Sequence, residues 1–283
     1  MKETECEPSD SPVRCPLVAR QFSELGQATI RLLVIPVAIY AAWLLEIFLL
    51  EGSERLFELF DPLHLFLFTL IACILTGIVV PLLCVRTSFV YGAVNLFQIG
   101  FRSFRRTLMA CALAGIICYA GVIFLNPFGT DRVAFVNALL LLLPGAIASV
   151  MICWVLVGTH IQAFVRSGGM VVSITVGILV TAALFGLTTF AYFPTAFRQD
   201  LLFSAVIIGF ITSIFFFAVR DVYSTSLIVG VCSVLIEADR ISSQYLHNAA
   251  VYVWINAVLA VSILISIHLY LSRNYMTVEI PQS

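Results

Sequence analysis

The residues of this chain that could do chemistry are four histidines, eight cysteines and two carboxylates at the edges of apolar stretches. Their spacing argues against most of that chemistry. His64, His160, His247 and His268 never stand four residues apart, and no His-Glu-x-x-His occurs, so the pattern of a zinc site is absent. Glu46 lies four residues from the end of an apolar run, within reach of lipid headgroups. Glu237 stands beside Asp239 and Arg240 and reads as a local ion pair at a membrane surface. Cys73, Cys111, Cys118, Cys153 and Cys232 fall within apolar runs and Cys84 at the end of one, where cysteine behaves as a small hydrophobe. Only Cys6 and Cys15 sit in polar sequence. No Gly-x-x-x-x-Gly-Lys is present to hold a nucleotide phosphate. The reading therefore contains no catalytic residue, no metal site and no cofactor.

The elements that must carry these residues are apolar helices. With 61% hydrophobic and 11% charged residues and a mean hydropathy of +1.07, the chain is built for lipid. A spanning helix takes about 20 mostly apolar residues. Eight runs qualify, at 30–50, 63–85, 106–125, 133–157, 171–194, 201–219, 222–238 and 248–272. None alternates as a barrel strand would, and lipid leaves the backbone no other partner than its own helix. The expected fold is all-α, a polytopic membrane bundle of about eight transmembrane helices.

Residues 30–272 form that single bundle. Residues 1–29 are an acidic cytoplasmic tail, expected to be disordered, with Lys2, Arg14 and Arg20 against five carboxylates. They do not read as a signal peptide, so the first span acts as an uncleaved anchor. Segment 87–105 is too polar to span, and with Phe89, Tyr91, Phe97, Phe101 and Phe104 it reads as a helix lying in the interface. Residues 273–283 are a short cytoplasmic tail. Eight spans put both termini on one side. That side collects eleven Lys and Arg, among them Arg102, Arg105, Arg106, Arg166, Arg220 and Arg273; the other has Arg55, Arg132, Arg198 and Arg240. The bias places both termini in the cytoplasm of a plasma-membrane protein. A net charge of −1 gives no basic surface for nucleic acid.

The spans also hold neutral polar residues: Asn137, Asn256, Ser149, Ser173, Thr175, Thr181, Ser213 and Ser233. Their ordinary use is interhelical hydrogen bonding, about 1 kcal/mol each. Small residues cluster at 110–115 and 145–149 and allow close helix contact. Pro36, Pro81 and Pro144 fall within or near span ends and can kink helices.

The stretch from Val155 to Pro194, with Gly158, the Arg166–Gly169 turn and Phe185-Gly186-Leu187, followed by Ser226-Leu227, resembles the core of the CPBP superfamily of CAAX prenyl proteases and bacteriocin-processing proteins. The resemblance covers roughly Ala146 to Ala238. It implies an eight-helix or similar scaffold whose family members cleave peptides within the membrane through a glutamate pair and histidines. Here those positions are replaced. The glutamates fall on Ile152 and Cys153, the arginine on Val157, the first histidine on Thr189, and the final His-x-x-x-Asn near Val234 and Ala238. Apolar side chains take no proton from water. The resemblance thus implies a pseudoenzyme with a vestigial cavity near Cys153, Trp154, Val157, Thr189 and Val234.

The expected function is a non-catalytic one, binding a lipidated peptide or a partner membrane protein, or serving as a complex subunit. Two other classes stand beside it. A small-molecule carrier predicts four-plus-four inverted repeats, and the halves show no internal similarity. An intramembrane protease with an atypical site would use Glu46 or Glu237 with His247.

Overall fold

The computed structural model describes residues 30–51, 61–90, 96–125, 131–192, 199–237, 246–247 and 250–275. It is an all-α polytopic membrane bundle. Among the described residues seven helices are long and apolar enough to cross a membrane, and the run Val222–Ile236 forms a shorter apolar helix. The acidic tail 1–29 and residues 276–283 lie outside the described residues.

In chain order the helices are α1 (Ile35–Glu51), α2 (Pro62–Phe68), α3 (Val80–Val90), α4 (Leu96–Ile99), α5 (Phe104–Leu125), α6 (Arg132–Ser149), α7 (Thr159–Phe164), α8 (Met170–Tyr192), α9 (Gln199–Val219), α10 (Val222–Glu237) and α11 (Ala250–Tyr275). Two π-helical stretches join neighbours into long rods. Thr69–Val79 links α2 to α3, and Val150–Gly158 links α6 to α7. Wider π turns are uncommon and tend to occur at functional sites.

The α6–α7 rod is the axis of the bundle. Of its span window 72% is buried, against 11% for α5, which faces outward. Every residue from Ala146 to Gln162 is buried. The second rod packs directly on it. A Cβ added to Gly77 would lie 2.4 Å from the Cβ of Ala148 and 2.8 Å from the carbonyl of Ala72, so only glycine permits this approach. Trp43 of α1 donates its indole N–H to the Ala72 carbonyl at 2.9 Å, and Thr76 donates to the same oxygen. The π stretch thereby satisfies its backbone partly through side chains.

The expected fourth span ended at residue 157, yet the helix runs on to Phe164. The extension carries polar residues that find partners. His160 is fully buried, with Nε2 2.7 Å from the Ser88 hydroxyl and Nδ1 2.6 Å from the Leu156 carbonyl. That carbonyl requires Nδ1 to be the donor, so Nε2 accepts from Ser88. The pair joins the two rods at one end of the bundle.

Of the segment expected to lie in the interface, residues 87–90 complete α3 and Leu96–Ile99 form a single turn; residues 91–95 lie outside the described residues. Ile99 and Phe101 are buried rather than lipid-facing. Gly100, at φ +92°, lets the chain turn inward, and its carbonyl accepts the Val222 N–H at 3.1 Å.

At the opposite end, Asp131 caps α6. Its carboxylate accepts the Ala134 N–H at 2.9 Å and lies 3.1 Å from His247 Nε2. The backbone hydrogen bond, then His247, holds this carboxyl below its ordinary value of 3.8. A lowered value means the stabilisation is present above the unfolded-state pKa and lost as pH falls through the folded one. Asp131→Ala is therefore expected to lower the melting temperature at pH 7, with the difference from wild type disappearing at strongly acid pH. Melting curves in detergent across that range check this. Equal melting at pH 7 contradicts it.

Candidate functional site

Between the two rods, α8 and α10, the bundle holds a cleft on the Asp131 side of its middle. It encloses about 830 Å³ of space, its open mouth included. Leu65, Phe68, Leu141, Pro144 and Phe185 give it apolar walls, and six hydroxyls line it: Thr69, Ser149, Thr188, Thr189, Tyr192 and Ser233. No described lining residue is charged. Along α8 the lining runs from Phe185 to Tyr192, about 10 Å at 1.5 Å per residue.

Local structure explains the opening. Pro144 removes one backbone donor from the α6 ladder and cannot complete the turn below it. At Val150 the helix widens into its π stretch, and Ser149 stands at that transition. The α8 hydroxyls divide between structure and cleft. Thr188 donates to the Leu184 carbonyl at 2.9 Å and lies 3.4 Å from the Tyr40 hydroxyl, while Tyr40 donates to the same carbonyl at 2.7 Å. Thr189 donates to the Phe185 carbonyl at 3.2 Å. By contrast, the hydroxyls of Thr69, Ser149 and Ser233 have no hydrogen-bond partner among the described residues. Thr69 and Ser149 are only 1% and 3% exposed. Both line the cleft, where a ligand acceptor or donor can reach them.

The sequence candidates separate around this cleft. Thr189 lines it. Cys153 lies behind the wall, its sulfur 3.8 Å from the Thr188 hydroxyl. Trp154 packs on the cleft residue Phe185 with ring centroids 5.3 Å apart and donates to Ser213 at 2.9 Å. Val157 is fully buried in the central packing. Val234 belongs to a second small cluster with Ala134, Ala138 and Leu246. Sequence reasoning missed Ser149 and Ser233 as lining residues. The signal was present, since both are hydroxyls in uncharged spans, but it was indistinguishable from ordinary helix-packing serines.

Two of the remaining ionisable candidates, His247 and His268, are engaged in structure. His247 partners Asp131. His268 sits half-buried against Tyr223 and the Arg102 carbonyl at 3.0 and 2.9 Å rather than at an open interface. The side chain of Glu237 lies outside the described residues. Among the described residues no group of three or more His, Cys, Asp or Glu converges to hold a metal. No protein-family model, curated protein or solved structure matches this chain.

Proposed function

We propose that this integral membrane protein binds a neutral amphiphile in the cleft and does no chemistry on it. The ligand class is an apolar chain ending in an uncharged hydroxyl, ester or amide, as a neutral lipid or the lipidated end of a peptide presents. The observation that carries the reading is the pairing of apolar walls, uncharged among the described lining residues, with the cleft-lining hydroxyls of Thr69 and Ser149, which have no partner among the described residues. An ionic headgroup would find no counter-charge among the described lining residues, and desolvating one is expensive. A neutral polar group gains hydrogen bonds while its chain packs on Leu65, Phe68, Leu141 and Phe185.

A degenerate CPBP-like scaffold is the frame we infer for this activity. In its support, Thr189, aligned with the family's first histidine, borders the cleft, and Cys153, aligned with a family glutamate, lies one layer behind it. The Val234 position stands apart from both. With threonine and cysteine in place of histidine and glutamate, binding is what such a cavity retains. Cytoplasmic termini, from the arginine bias, and a plasma-membrane location complete the proposal.

The test is binding of a fluorescent diacylglycerol to purified protein. Ser149→Leu and Thr189→Leu fill the cleft and are expected to weaken binding at least about tenfold, the effect of losing roughly 1.4 kcal/mol, with unchanged melting temperature. Undiminished binding in both folded variants contradicts the reading.

A further inference from the structure

At the end of the bundle remote from the cleft, Arg102, Arg105, Arg106 and Arg220 lie close in sequence to the junction held by the buried carboxylate of Asp221. Asp221 is 1% exposed and both its oxygens are occupied, one by the Ser224 N–H at 2.8 Å and the other by the Thr107 hydroxyl at 2.7 Å. Arg220, in the left-handed region at φ +54°, is held by the Gln98 carbonyl and the Gln162 amide oxygen and lies over the Phe217 ring. Burial, and after it the neighbouring Arg102, pull its guanidinium down to about 10, so it stays charged at neutral pH. Arg102 uses its Nε to donate to the Arg220 carbonyl at 3.0 Å. Its two amino groups have no partner among the described residues, and neither do the guanidinium groups of Arg105 and Arg106, which are exposed.

These residues stand at a defined depth. The span of α5 begins at Phe104, which is 79% exposed, so Arg102, Arg105 and Arg106 occupy the level where hydrocarbon gives way to headgroups. Arginine amino groups pair bidentately with phosphate oxygens. We propose that Arg102, Arg105 and Arg106 form a surface site for the phosphate headgroup of an acidic phospholipid. The lipid supplies the anion that Asp221 cannot, and its chains lie along the outward face of α5. The burial of Arg220 behind Arg102 fixes the site's inner wall, since it keeps Arg102 oriented by the backbone carbonyl it presents.

The experiment is native mass spectrometry of the full chain in neutral detergent, titrated with phosphatidylglycerol or phosphatidylcholine. Phosphatidylglycerol is expected to bind more tightly. Each of Arg105→Gln and Arg106→Gln, both exposed and free to change without disturbing the fold, should weaken it about fivefold, the ratio for a basic residue near an anionic surface. Binding of phosphatidylcholine should not change. Equal affinity for the two lipids, or a preference untouched by either variant, overturns the site. Competition by inorganic phosphate at millimolar concentration also overturns it, because it would assign the arginines to a soluble anion instead.

Discussion

Asp221→Ala is expected to destabilise the folded bundle by about 3 kcal/mol. The figure combines a lost helix cap, about 1 kcal/mol, with the desolvation cost of a buried hydroxyl left unpaired, about 1–3 kcal/mol. The carboxylate caps α10 through Ser224 and anchors α5 through Thr107, and the Val222 N–H beside it is held by Gly100. Asp221→Asn keeps the cap acceptor and the reach to Thr107, so it should recover much of the loss, and Thr107→Val should cost about 1 kcal/mol. Thermal unfolding in detergent separates these variants. An alanine variant that melts with wild type would mean the junction is not a structural keystone.

The second large effect is at Gly77. Its hypothetical Cβ falls 2.4 Å from Ala148, a distance no real pair of carbons adopts, and the Ala72 carbonyl closes the other side. Ala148 is itself fully buried, so neither rod can yield without moving the axis of the bundle. Gly77→Ala is expected to cost about 2 kcal/mol, the middle of the range for overpacking a tight interior, and Gly77→Leu to abolish folded expression. Ala148→Gly should recover part of the loss in Gly77→Ala, because it removes the Cβ contact while the Ala72 carbonyl stays at 2.8 Å, and the effects of two contacting residues couple. An additive pair would show that the rods do not meet here.

The spans and the scarcity of charge within them were readable from hydropathy and charge, which act residue by residue. The cleft was not. It depends on Pro144 lying just ahead of a helix that widens at Val150, and no residue pattern announces a π stretch. Nor could composition tell that Ser149 faces the cleft while Ser213 accepts from Trp154 and Thr188 contacts Tyr40. His160 and Gln162 fall beyond the expected end of the fourth span, and their burial was not legible because their partners, Ser88 and Arg220, are 72 and 58 residues away. The separation of Val234 from Thr189 has the same origin. Helix order was legible, but the rotation that sends Ser233 to the cleft and Val234 to the Leu246 cluster is set by tertiary packing.

The central claim is that a neutral amphiphile occupies the cleft, and photolabelling maps it most directly. Purified protein is irradiated with diacylglycerol carrying a diazirine in its chain, and the modified residues are located by mass spectrometry. The account predicts label in the segments Leu141–Ser149 and Phe185–Tyr192, displaced by excess unlabelled diacylglycerol. Label confined to the outward residues of α5, such as Leu108, Ile116 and Ile123, and indifferent to competitor, would contradict it.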